Sequence, residues 1–207
     1  MKKLKIASLF AVFALIATPA LMADGLEVKA GVGSVKAASD KVGFDAGVGY
    51  SIGLERFFAI VPEVNFNWLN FDGALGGGSA GQTGLSGAST PSSSFYTLPV
   101  LLNARILIPM GGDETPAVQP IITAGAGYGW SHYSYSYSGT SIKADLSGFM
   151  YQASLGLLIN LGMISEGSAS STNILVEAGY RGGTLATSGT NYDWSGYVIR
   201  AGVNLAL

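Results

Sequence analysis

The stretch Val42-Gly43-Phe44-Asp45-Ala46-Gly47-Val48-Gly49-Tyr50-Ser51-Ile52 decides the fold. Its even positions are all apolar, and its odd positions are glycine, aspartate or serine. Successive side chains of a β-strand point to opposite faces, so a period of two predicts a strand with two chemically different sides. Leu26–Val32, Phe58–Trp68, Tyr96–Ile108, Val118–Trp130, Phe149–Leu161, Ile174–Tyr180 and Tyr197–Leu207 repeat the pattern. Most of these segments run ~10 residues or more, the length a tilted strand needs to cross a bilayer.

The two faces divide the charge completely. The apolar face carries no Asp, Glu, Lys, Arg, Asn, Gln, Ser or Thr in any segment. The opposite face carries Glu27, Lys29, Asp45, Glu63, Arg105, Glu177, Arg181 and Arg200, with asparagines and many glycines between them. That face is too glycine-rich and too sparsely charged for a solvated exterior. It suits the inside of a narrow barrel, where glycines leave room for a few long polar side chains. A charge facing lipid at mid-membrane costs ~2–4 kcal/mol, so the unbroken apolar face suits acyl chains. In hydrocarbon every backbone N–H and C=O must be paired internally, which strands achieve only by closing. The prediction is an all-β fold, an eight-stranded antiparallel up-and-down transmembrane β-barrel.

Composition agrees. Of 207 residues, 12% are charged and 48% hydrophobic, with 30 glycines, no cysteine and mean hydropathy +0.38. This excludes a disordered tail, a disulfide scaffold and a thiolate metal site. A net charge of −2 without an internal basic run argues against nucleic acid as a partner.

Met1–Ala23 reads as a secretory signal. Lys2, Lys3 and Lys5 precede the apolar run Ile6–Ala17, and Pro19 precedes small-residue cleavage points at Ala20 and Ala23. The run is too short to span a bilayer as a helix. Cleavage after Ala23 removes three of the eleven cations and no acid, which leaves residues 24–207 as one barrel domain of net charge −5. The compartment implied is the outer membrane.

Connection lengths set the orientation. Gly53–Arg56, Pro109–Ala117 and Gly162–Thr172 follow even strands and read as periplasmic turns. Ser34–Asp40, Asp72–Ser94, Ser138–Asp145 and Gly182–Asp193 read as outer loops, the longest being the Gly/Ser-rich Asp72–Ser94. Trp68, Trp130 and Trp194 all lie at outer strand ends. Phe71, Phe95, Tyr96, Phe149, Tyr151, Tyr192 and Tyr197 lie at similar depth, so together they predict an outer aromatic girdle.

The segments YTLPVLLNARI (Tyr96–Ile106), QPIITAGAGYGW (Gln119–Trp130) and ILVEAGYRGG (Ile174–Gly183) resemble strands of the small outer-membrane barrels, the OmpA membrane domain, OmpX and OmpW group. The resemblance covers nearly all of residues 24–207 and implies the barrel architecture far more than any activity. Such barrels usually end in an aromatic residue read by the assembly machinery, whereas this chain ends Val203-Asn204-Leu205-Ala206-Leu207.

The chemistry available is sparse. No catalytic, cofactor or metal constellation stands out, and the sole histidine, His132, lies in the run SHYSYSYS, where only Ser131 or Ser134 with a carboxylate would offer a hydrolase its nucleophile. The sharper candidate is a polar network of Glu63, Arg105, Glu177, Arg181 and Arg200 inside the barrel, which must be paired to be tolerated. A balanced set predicts a plugged lumen and a role in envelope structure and surface interaction, without enzymatic activity. A second expectation is an OmpW-like passage for small hydrophobic molecules, suggested by Pro62, Pro99 and Pro120 and by inward Phe57, Val61, Leu69 and Leu101. A third is adhesion through the outer loops. Expected partners are outer-membrane lipid, the assembly machinery and an extracellular ligand at Asp72–Ser94.

Overall fold

A computed structural model describes residues 25–72, 92–110, 116–137, 139–164, 172–187 and 189–206. The expected signal segment, most of the Asp72–Ser94 loop and the final residue lie outside this range. The strands are β1 (Gly25–Val35), β2 (Lys41–Glu55), β3 (Phe58–Asp72), β4 (Ser92–Leu107) and β5 (Val118–Tyr137). They continue as β6 (Thr140–Asn160), β7 (Thr172–Thr187), β8 (Thr190–Asp193) and β9 (Gly196–Ala206). One helical turn, α1 (Leu161–Ile164), follows β6.

Every pairing is antiparallel. Neighbours from β1 to β7 pair in chain order, β7 pairs with β9, and β9 closes on β1 through Gly25↔Ala206 to Gly33↔Val198. Among the described residues β8 pairs only with the outer end of β7. It is the detached top of the eighth stave, separated from β9 at Trp194–Ser195. The result is a closed eight-staved barrel.

The alternation reads directly into sidedness. Leu155, on the outward face of β6, is 66% exposed, whereas Arg105 on the inward face of β4 is 1% exposed. Most of the large exposed apolar side chains stand on the outward face or in the connections, with Tyr137 and Ile142 exposed at inward parity near the β5–β6 turn, and the buried polar ones stand inside.

Two outer connections differ from the sequence expectation. Composition predicts a loop over Ser138–Asp145, but β5 runs on to Tyr137 and β6 begins at Thr140. Gly182–Asp193 is likewise a hairpin of β7 and β8, not a loop. Tight turns replace them, with Gly139 (φ 82°) and Gly189 (φ 92°) in the left-handed region that L side chains avoid. The Ser/Tyr alternation of Ser131–Tyr137 is itself a strand signal, which a low-complexity reading conceals.

The prolines are absorbed without a shift of register. Next to Pro99 the β3–β4 ladder skips from Val64↔Val100 to Asn67↔Thr97, and next to Pro62 the β2–β3 ladder skips from Gly49↔Glu63 to Ile52↔Ile60. Each proline removes one donor, so the ladder loses local bonds and resumes in the same frame.

Candidate functional site

The candidate site is the barrel interior. Lys29 Nζ lies 2.5 Å from Glu63, 3.5 Å from Glu177 and 3.6 Å from Glu27. Arg105 grips Glu27 with both terminal nitrogens, one of them at 2.9 Å. Arg181 donates to Asp45 at 2.7 Å and to Asn67 at 3.0 Å. Arg200 meets Glu63 at 2.7 Å, lies 3.5 Å from Asp45 and also pairs with Glu177. Four carboxylates and four cations therefore form one electroneutral buried set.

Neutral groups complete it. Asn103 donates to Glu63 and accepts from Gln152, while Asn204 donates to Glu27. Glycines supply the space for the long side chains. A Cβ on Gly47 would sit 2.5 Å from Asn65 Oδ1, and one on Gly31 would sit 2.0 Å from the Ile199 carbonyl. Gly31 stands opposite both Asp45 and Arg200 in the ladders, so the notch and the ion pair share one rung.

All five interior residues named from sequence lie inside and are buried. The sequence-derived network omits Glu27, Lys29 and Asp45, although strand parity puts them on the same face. The omission matters, because Arg105 pairs with Glu27 and Arg181 with Asp45.

Above the charges the interior turns apolar. Phe71, Phe95, Tyr133, Leu146, Leu185 and Trp194 pack together, and the Trp194 ring stacks on Phe95 at 4.2 Å and 20°. The expectation of Trp194, Phe71, Phe95 and Tyr192 in the outward girdle is corrected: the first three are buried inside, Trp194 at 3% exposure, and Tyr192 packs against the same interior cluster opposite Leu185. The reason is parity, since each stands one residue out of phase with the lipid-facing positions of its stave. Trp68 and Trp130 do face outward, Trp68 against Tyr96 and Trp130 against Tyr128. Val61, Leu69 and Leu101 are buried inside as expected, but Phe57 lies exposed in the β2–β3 turn. Between the aromatic cluster and the charges, Asp45, Asn67, Arg181 and Trp194 line a cavity of about 20 Å³, the size of one water site.

A clasp of hydrogen bonds from the backbone holds the Trp194 segment in place. The Trp194 N–H donates to Gly183, Lys36 N–H donates to Ser195, and Tyr197 N–H donates to Ser34 Oγ. Lys36 Nζ sits 3.1 Å from Asp193 at the exposed rim. Hydrogen bonds from Ser195 and Lys36 hold the Asp193 carboxyl below the usual carboxylate range, and Asp193 raises the Lys36 ammonium. A depressed carboxylate contributes stability above its unfolded pKa and loses it as pH falls through its folded one. Hydrogen-exchange protection of the Lys36 and Trp194 amides is therefore expected to stay flat from neutral pH down to about 4 and to fall below it. Both groups are exposed, so the change stays local and leaves global stability nearly unaltered.

His132 stands on the outer wall with Nδ1 2.8 Å from Asp145 Oδ1. Ser131 is turned inside, where its hydroxyl donates to Thr97.

Residues 7–206 match the family described as outer membrane protein beta-barrel domain. This chain belongs to that family. The outer membrane is accordingly its location, and the apolar outer wall is the lipid-facing surface. No curated protein matches the chain. Among solved structures, Neisserial surface protein A is similar at 11% identity and TM-score 0.55, over 90% of this chain and 98% of that one. The attachment invasion locus protein Ail of Yersinia pestis is similar at 12% identity and TM-score 0.53, over 88% and 97%. A major outer membrane protein of Thermus thermophilus is similar at 13% identity and TM-score 0.50, over 90% and 100%. At these identities the likeness is one of fold. For this outer-membrane barrel it agrees with the closed ladder described above.

Proposed function

We propose that the protein is a non-conducting envelope barrel that anchors and displays its outer strands and loops. The observation that carries this reading is the electroneutral set of eight buried charges, capped on its outer side by the Trp194–Phe95 stack. Ion permeation would require breaking several of these buried pairs together, at several kcal/mol for each. The same crossing pairs weigh against passage of small apolar molecules along the lumen. Purified protein in planar bilayers is expected to give no stable single-channel steps. Large, reproducible steps would overturn the closed lumen.

A second reading, surface interaction, is favoured by the height of β5 and β6, which continue above Trp130 to Tyr137 and Thr140. Tyrosine and serine are well suited to adaptable contacts. Lipid, the assembly machinery and an extracellular ligand at the Asp72–Ser94 loop are its proposed partners. Removing Gly73–Pro91 from the displayed protein is expected to abolish cell-surface binding that the intact chain supports, and unchanged binding would count against the loop.

A further inference from the structure

Four outward positions lie on one rung of the outer wall: Trp68↔Tyr96, Tyr96↔His132 and His132↔Asp145 join β3, β4, β5 and β6. One step toward the membrane, Leu98 pairs with Trp130 and Trp130 with Ser147. Between the two rows runs an open groove of about 520 Å³, walled by Phe66, Leu98 and Trp130 below and by Tyr96, His132 and Asp145 above.

The groove is chemically graded along the membrane normal. Its lower wall is aromatic and aliphatic, and is continuous with the lipid-facing Tyr128 and Phe149 one rung further in. Its upper wall holds a carboxylate 89% exposed and a histidine 47% exposed. With Nδ1 engaged by Asp145, the Nε2 edge of His132 is left to bond a ligand, and the second Asp145 oxygen accepts from a donor. Flat rings such as Trp130 and Tyr96 offer an apolar face to a flat, weakly polar partner while tolerating water at their edges.

We propose that this groove binds the neutral, hydroxyl-rich sugar headgroup of an outer-leaflet glycolipid. A hexose offers a C–H face to the aromatic wall and hydroxyl donors to Asp145, and its acyl chains continue down the apolar wall. An anionic phosphate headgroup does not fit, because the exposed carboxylate would repel it. A free glycan would fill the upper wall and leave the lower one unused.

The test uses the folded barrel in phosphatidylcholine nanodiscs doped with digalactosyldiacylglycerol or, separately, with phosphatidylglycerol. Native mass spectrometry reads the lipid retained on the protein. Preferential retention of the galactolipid is expected. Asp145→Asn, which removes one charge-assisted acceptor, is expected to reduce it about tenfold. Trp130→Leu, which keeps the wall apolar, should also reduce it, whereas Tyr197→Leu in β9 should not. Heat-dependent gel mobility confirms that each variant is folded. Equal retention of phosphatidylglycerol, equal loss in Tyr197→Leu, or no loss in Asp145→Asn would overturn the proposal. Displacement of the galactolipid by an equal concentration of soluble digalactose would overturn its assignment to a membrane lipid.

Discussion

Arg200→Met will destabilise the folded barrel by about 3–5 kcal/mol, because it strips a shared cation from buried acids and leaves them uncompensated. Arg200 faces Asp45, Glu63 and Glu177 at once, and it also donates to Asn65. The loss is not the intrinsic worth of the ion pairs, which a well-packed apolar replacement would largely match. The Arg105–Glu27 pair separates the two quantities. Arg105→Met and Glu27→Gln should each be costly, whereas the double variant, which restores electroneutrality, should recover most of the loss. Urea unfolding in lipid vesicles measures all four corners of the cycle. Additive losses would mean that the two side chains do not act as a pair.

The second large effect belongs to the aromatic cap. Trp194→Ala removes a buried indole stacked on Phe95 and packed beside Leu69 and Leu185, so it should cost about 3–5 kcal/mol. The vacated space adjoins the cavity of about 20 Å³ above Asp45 and Arg181, and would let water reach them. Fluorescence offers an independent check of the geometry. Brominated acyl chains should quench Trp68 and Trp130 on the outer wall and leave Trp194 bright. Quenching of all three would return Trp194 to the girdle and remove the reason for the stability loss.

Much of this was legible in the chain. Period two in Val42–Ile52 and its counterparts determines both the strands and the face each residue takes, because lipid forbids charge on one side. Trp194 shows where the reading stopped short. Its nearness to the outer rim is a statement about depth, while its face follows from parity with Tyr197 and Ile199, and the two are independent. The partners inside the barrel were not legible at all. Lys29 meets Glu63, Arg105 meets Glu27 and Arg181 meets Asp45 across gaps of 34, 78 and 136 residues. Strand tilt and stagger set which inward positions share a height, and no local pattern encodes those. Strand ends above the membrane were hidden for a related reason. Without lipid to exclude polar residues, the outer part of β5 alternates serine with tyrosine and that of β6 mixes polar and charged residues, so both resemble loop composition.

The most direct test of the whole account is a single-cysteine scan of β6 from Phe149 to Leu157, feasible because the chain has no native cysteine. Spin labels at Phe149, Tyr151, Ala153, Leu155 and Leu157 should collide with membrane-dissolved oxygen, while cysteines at Gln152 and Ser154 should meet neither oxygen nor a water-soluble maleimide. Rapid aqueous labelling at Gln152, or accessibility without a two-residue period, would contradict it.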